Sequence, residues 1–173
     1  MHASGCIGGR MSENEIIIRV ADLNAGVAGD VLVTYGLGSC VAIILYDPAK
    51  MLGGMAHIML PSRSLARRDD VVGKTPQTAV PALIEKLTSM GANSRRVTGR
   101  LVGGASLFAA LSPPGSIQMG ERNVVASREV LNQHGIPLVG ELVGGESGRS
   151  VWFHLGNGAV VVRSAANQSE HTL

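Results

Sequence analysis

The chain has 173 residues and a formal net charge of +2, a length that suits one domain able to bury about 70% of the surface its unfolded form exposes. Hydrophobic residues make up 45% of it and aromatic residues 3%, so the core must be aliphatic and base stacking is a poor prospect. The scattered basic residues argue against nucleic-acid binding, and no apolar run approaches the roughly 18 residues of a membrane span.

Residues 1–12, MHASGCIGGRMS, lack the apolar core of a secretory leader and are expected to be a disordered extension. The domain is then expected over 13–163, with an aperiodic tail over 164–173. Cys6 falls in the extension and no secretion signal accompanies it, so Cys6 and Cys40 are read as reduced thiols of a cytoplasmic protein.

Alternating or continuous β-branched runs predict strands at Ile16–Val20, Val31–Tyr35, Cys40–Tyr46, Gly54–Leu60, Thr98–Val102, Leu138–Val143, Val151–Leu155 and Ala159–Arg163. Between them, Ala79, Val80, Leu83, Ile84, Leu87 and Met90 recur at helical spacing before Gly91. Pro81 lacks an N–H, which places the start of that helix near Thr75–Thr78. A second helix is expected over Arg122–His134, with a thin stripe of Val124, Val125 and Leu131, stopped by Gly135 and Pro137. Gly156-Asn157-Gly158 predicts a hairpin between the last two strands.

The chemistry concentrates around Cys40. Thr34-Tyr35-Gly36-Leu37-Gly38-Ser39-Cys40 leaves a strand through two glycines and delivers a cysteine at the mouth of the next apolar run, a setting that a merely buried thiol does not require. The third glycine of a dinucleotide fingerprint is absent and a strand follows, so that reading is set aside. Downstream, Asp47-Pro48-Ala49-Lys50 favours a type I turn. If Asp47 and Lys50 close the hairpin, Cys40 stands directly opposite His57, on one face.

A cysteine acts as a nucleophile through its thiolate, and a histidine neighbour can take the thiol proton and return it to a leaving amine. Thr34 could orient the imidazole with its hydroxyl, and the backbone N–H groups of Gly38, Ser39 and Cys40 could form an oxyanion hole. His2 and His171 fall in the terminal segments, His134 near a helix end and His154 in a strand. No HExxH or CxxC pattern occurs, so neither metal nor cofactor is expected.

These residues resemble the CheD family of chemoreceptor glutamine deamidases. The carrying motifs are TYGLGSCVAIILYDP (Thr34–Pro48), GGMAHIMLP (Gly53–Pro61), TAVPALIEKL (Thr78–Leu87), RLVGGASLF (Arg100–Phe108), MGERNV (Met119–Val124) and ELVGGESGRSVWF (Glu141–Phe153). Met119 stands where an isoleucine is usual, and the extension through Arg10 has no family counterpart. The resemblance implies a catalytic Cys40, His57 and Thr34, and attack on a receptor glutamine through a thioester. It implies an α+β fold, a single-domain mixed β-sandwich flanked by helices, similar to cytotoxic-necrotizing-factor-type cysteine deamidases. It also implies two partners, the cytoplasmic helices of a methyl-accepting chemoreceptor and a CheC-type phosphatase.

Arg63, Arg67 and Arg68 follow the histidine strand and could meet an acidic receptor helix, although a solvated loop is the simpler reading. Arg149 could serve a loop or the receptor. Gly103-Gly104 and Gly144-Gly145 most simply serve tight turns. Two rival functions share the same residues: methylesterase activity on receptor methylglutamates, and a non-catalytic regulator of a phosphatase or receptor.

Overall fold

The computed structural model describes residues 13–67, 71–107, 109–113 and 115–173. The extension expected over 1–12, with Cys6, and the Arg68 of the basic trio lie outside the described residues. The predicted strand runs are present, except that the first spans Asn14–Ile17 in place of the expected Ile16–Val20 and shares only Ile16 and Ile17 with it; two shorter strands that the sequence pattern does not announce join them. In chain order they are β1 (Asn14–Ile17), β2 (Leu23–Gly26), β3 (Asp30–Leu37), β4 (Val41–Asp47), β5 (Leu52–Ile58), β6 (Thr98–Gly103), β7 (Leu138–Val143), β8 (Arg149–His154), β9 (Ala159–Ser164) and β10 (Glu170–Thr172). The helices are α1 (Pro76–Ser89) and α2 (Met119–Gln133).

Strands β1-β3-β8-β9-β10 form one sheet and β2-β5-β4-β6-β7 the other. Both sheets are mixed, because β1 runs parallel to β3 and β6 parallel to β7. Leu32, Phe153 and Val160 of the first sheet meet Ala42, Ile44, Met55 and Val102 of the second in a core between the sheets. On its other face the second sheet offers Ile43, Leu45 and Ile58 to Leu83 and Leu87 of α1 and to Val124 and Leu131 of α2. Strand β4 is therefore covered on both faces, which explains why it reads as the unbroken apolar run VAIILYD with every residue buried. The result is an α+β domain of two sheets and two helices.

Several local expectations need correction. Residues 164–173, read as a tail, carry β10, whose exposed side chains show no pattern because the backbone ladder to β9 makes the pairing. In α1, Pro76 takes the first helical position, where a proline costs no hydrogen bond. Pro81 consequently sits beyond the first turn, and the Gln77 carbonyl lacks its usual helical donor. Helix α2 starts earlier than Arg122, and its buried stripe is Gly120, Asn123, Val124, Ser127, Val130 and Leu131. Val125, counted in the expected stripe, is 53% exposed.

The β4–β5 turn carries the correction that matters most for the site. The Lys50 N–H donates to the Asp47 carbonyl at 3.3 Å, as a type I turn requires. Met51 then adopts φ 50°, adding a left-handed residue before the strands meet. The closing pair is Asp47 with Leu52 instead of Asp47 with Lys50, so Ala42 rather than Cys40 faces His57. The register has moved by two residues, and a shift of two preserves the face on which every side chain lies.

The Asp47 carboxylate locks this turn. It is fully buried and accepts from the Ala49 N–H, the Asn93 N–H and both Nε and Nη2 of Arg96. Burial alone would push its carboxyl up, but the Arg96 and backbone donors outweigh burial and hold it below the usual value. Asp47→Asn keeps the shape and removes the charge these donors answer. It is expected to cost about 2 kcal/mol, read as a lowered urea midpoint at unchanged slope.

Candidate active site

Thr34 is the last residue of β3 paired in register with β8, opposite Val151, before the ladder shifts on the way to Leu37. Its side chain is buried between the sheets, and its Oγ1 lies 2.8 Å from Nδ1 of His57 on β5. The same oxygen donates to the Ile18 carbonyl at 2.7 Å. A hydroxyl has one proton, and a carbonyl can only accept. The Thr34 proton is therefore committed to Ile18, and His57 must donate from Nδ1. That fixes the neutral tautomer with its lone pair on Nε2, and Nε2 is buried with no hydrogen-bond partner among the described residues. The backbone of His57 is also clamped, donating to the Asp22 carbonyl and accepting from the Ala21 N–H.

Cys40 precedes β4 and packs at the margin of the core between the sheets. By the parity of β4 it shares a face with Ala42, the residue directly opposite His57. Cys40 and His57 are thus diagonal neighbours, with Cβ atoms roughly 7 Å apart, a distance that two side chains can close. The free protein makes no hydrogen bond between them, as the unpartnered Nε2 shows. Cys40 is a free thiol.

Burial sets the charge state of the pair. It pushes the Cys40 thiol up, against a weaker pull from its own backbone N–H. It pushes His57 down to about 4. At neutral pH the site therefore holds a thiol beside a neutral imidazole, rather than a thiolate–imidazolium pair.

Of the three N–H groups expected to form an oxyanion hole, that of Gly38 is engaged, donating to the Gly36 carbonyl at 3.0 Å. Ser39 and Cys40 are left for that role. Gly36, at φ 70°, supplies the bend that sequence reading assigned to the loop. The three carbonyls that follow are all held: Gly38 by the Ala105 N–H, Ser39 by Nδ2 of Asn123, and Cys40 by the Gly104 N–H. Helix α2 reaches this point because Gly120 has no side chain; a Cβ there would stand 2.4 Å from the Gly104 carbonyl oxygen. Asn123 escaped the sequence reading, since a polar residue in a helical stripe registers as a gap. Its only signal was its place in MGERNV.

Beside Ser39 opens a cleft of about 170 Å³, lined also by Ala105, Ser106, Leu107, Met119 and Gly120. Arg149 is not aimed at it: its Nη1 donates to the Gly144 and Gly103 carbonyls, joining the two glycine turns. Arg63 and Arg67 are exposed beyond β5. Among the described residues no group of three His, Cys, Asp or Glu side chains is placed to hold a metal ion.

Two measurements check this electrostatic description. In a Cys6→Ser background, iodoacetamide is expected to alkylate Cys40 at a rate that climbs through and beyond the ordinary thiol range. A plateau already reached in mildly acidic solution would indicate a preformed ion pair. Independently, unfolded chains protonate histidine below about 6.5, whereas folded His57 resists until about 4. Stability is then intact above 6.5 and falls as pH drops through that window, by about 3 kcal/mol. Chemical denaturation of His57→Gln should show this increment removed from the acid slope.

The sequence profile of the CheD family, described as chemotactic sensory transduction, matches residues 59–164. Three similar proteins are each named probable chemoreceptor glutamine deamidase CheD. That of Clostridium novyi is 38% identical over 154 residues, 89% of this chain and 95% of its own length. That of Desulforamulus reducens is 35% identical over 150 residues, 87% of this chain and 90% of its own. That of Caldanaerobacter subterraneus subsp. tengcongensis is 38% identical over 153 residues, 88% of this chain and 94% of its own. A stretch covering 89% of the chain necessarily includes Thr34, Cys40 and His57.

Proposed function

Because the chain belongs to the CheD family of chemotactic sensory transduction proteins, we propose that it deamidates glutamine side chains of chemoreceptors, with Cys40 as nucleophile, His57 as base and Thr34 as the group that orients His57. The observation that carries the mechanism is the unpartnered Nε2 of His57, held as an acceptor by Thr34 on the face it shares with Cys40.

In the first half of the reaction the Cys40 sulfur attacks the carboxamide carbon as Nε2 takes the thiol proton. The carbonyl oxygen becomes an oxyanion, met by the N–H groups of Ser39 and Cys40. Collapse breaks the C–N bond, and Nε2–H gives its proton to the leaving nitrogen, which departs as ammonia. Water, deprotonated by the same Nε2, then opens the thioester to glutamate and the free thiol. The neutral imidazole suits this cycle, because it is a base at the outset and an acid only after it has taken a proton.

The cleft beside Ser39, with Leu107 and Met119 exposed at its edge, supports approach of a receptor helix, and Arg63 and Arg67 are exposed where an acidic receptor surface could meet them. The reading extends to the cytoplasm, where receptor helices present their glutamines; no helix among the described residues is long and apolar enough to cross a membrane. It extends as well to a CheC-type phosphatase partner and to kinship with cytotoxic-necrotizing-factor-type deamidases. Family membership supports the first. For the second, the support is a cysteine and a histidine on neighbouring strands within a two-sheet fold.

The test is incubation of a receptor cytoplasmic domain with the protein, followed by peptide mass mapping. Specific glutamines are expected to gain the small mass increment of conversion to glutamate. Cys40→Ala should abolish this, and His57→Gln should slow it by about 10²–10⁴-fold. Loss of a CH₂ unit from methylated peptides instead would indicate an esterase, and no change in any peptide with folded wild-type protein would remove the enzyme.

A further inference from the structure

Asn123 is fully buried in α2, and its Nδ2 donates to two carbonyls on different chain segments of the site. One is Ser39, at 2.8 Å, immediately before the cysteine; the other is Met59, at 3.2 Å, just past the end of the histidine strand. Both partners accept only, so the atom that meets them must be the amide nitrogen, which settles the orientation of the side chain.

The Ser39 carbonyl and the Cys40 N–H belong to one trans peptide plane and point in opposite directions. Holding the carbonyl toward α2 therefore turns the Cys40 N–H away from α2. The carbonyls on either side are held by backbone donors, Gly38 by Ala105 and Cys40 by Gly104, which no side-chain substitution deletes. The Ser39 carbonyl alone hangs on a side chain. That side chain is in turn fixed by its second bond to Met59, and its helix is fixed by the contact of Gly120 with the Gly104–Ala105 turn.

We infer that Asn123 is a positioning residue for the reaction: it fixes the Ser39–Cys40 peptide so that the Cys40 N–H is presented to the oxyanion. This rests on the deamidase reading above. It assigns to Asn123 no contact with substrate, and so predicts an effect on the tetrahedral state without one on substrate affinity.

The experiment compares Asn123→Ala, Asn123→Ser and Ser127→Ala with wild type on a receptor cytoplasmic domain. Ser127 donates to the Asn123 carbonyl within the same helix, so Ser127→Ala perturbs the helix while keeping the amide in place. Both Asn123 variants are expected to lose on the order of 10²-fold in kcat, with KM within about twofold. Affinity for a peptide aldehyde in place of glutamine, whose adduct on Cys40 carries the oxyanion, should fall by the same factor. Iodoacetamide alkylation, which forms no oxyanion, should stay within about twofold, and Ser127→Ala should leave kcat near wild type.

An unchanged kcat in either folded Asn123 variant overturns the inference. So does a loss shared equally by kcat, alkylation and Ser127→Ala, which would make the role structural. If Asn123→Ala does not fold, Asn123→Ser decides alone, since its shorter hydroxyl cannot reach both carbonyls. An inactive wild type would instead defeat the deamidase reading and is distinguishable on that ground.

Discussion

One proton on the hydroxyl of Thr34 organises the site. The Ile18 carbonyl takes it, and the oxygen can then only accept from His57. From that single commitment follow the tautomer of the imidazole, the lone pair on Nε2 and the direction in which the ring can act as a base. The two sheets are the means of enforcing it, since Thr34 stands on one and His57 on the other, and the aliphatic core between them holds the distance. Burial supplies the second constraint. It keeps both the thiol and the imidazole uncharged in the free protein.

Much of this was legible in the chain. Continuous apolar VAIILY marked a strand, and Thr34, Cys40 and His57 stood out by type and spacing. The Asp47–Lys50 turn formed with the hydrogen bond that Asp-Pro implies, yet Met51 closed the hairpin two residues later. A non-glycine residue in the left-handed region has no sequence signature, so its presence could not be read in advance. The placement of Cys40 and His57 on one face survived because side chains alternate with a period of two; a slip of one would have separated them.

Other features were illegible for different reasons. Strand β2, Leu-Asn-Ala-Gly, has no β-branched residue and is held by its ladder to β5. The Gly38 N–H was assigned to an oxyanion hole by position, but the bend at Gly36 turns it onto a carbonyl. Asn123 was hidden because a helical stripe is recognised by its apolar members, whereas the residue this helix turns to the site is polar and buried. Polar residues inside a stripe are informative once the helix is known to cross two chain segments whose carbonyls need donors.

Thr34 fixes His57 as a neutral imidazole with its lone pair on Nε2. The most direct measurement is the ring-nitrogen NMR spectrum of ¹⁵N-histidine-labelled protein at neutral pH, with Thr34→Val as the comparison. A protonated Nδ1 and an unprotonated Nε2 are expected for His57, with that preference lost in Thr34→Val. A His57 protonated on Nε2, or on both nitrogens, would overturn this assignment.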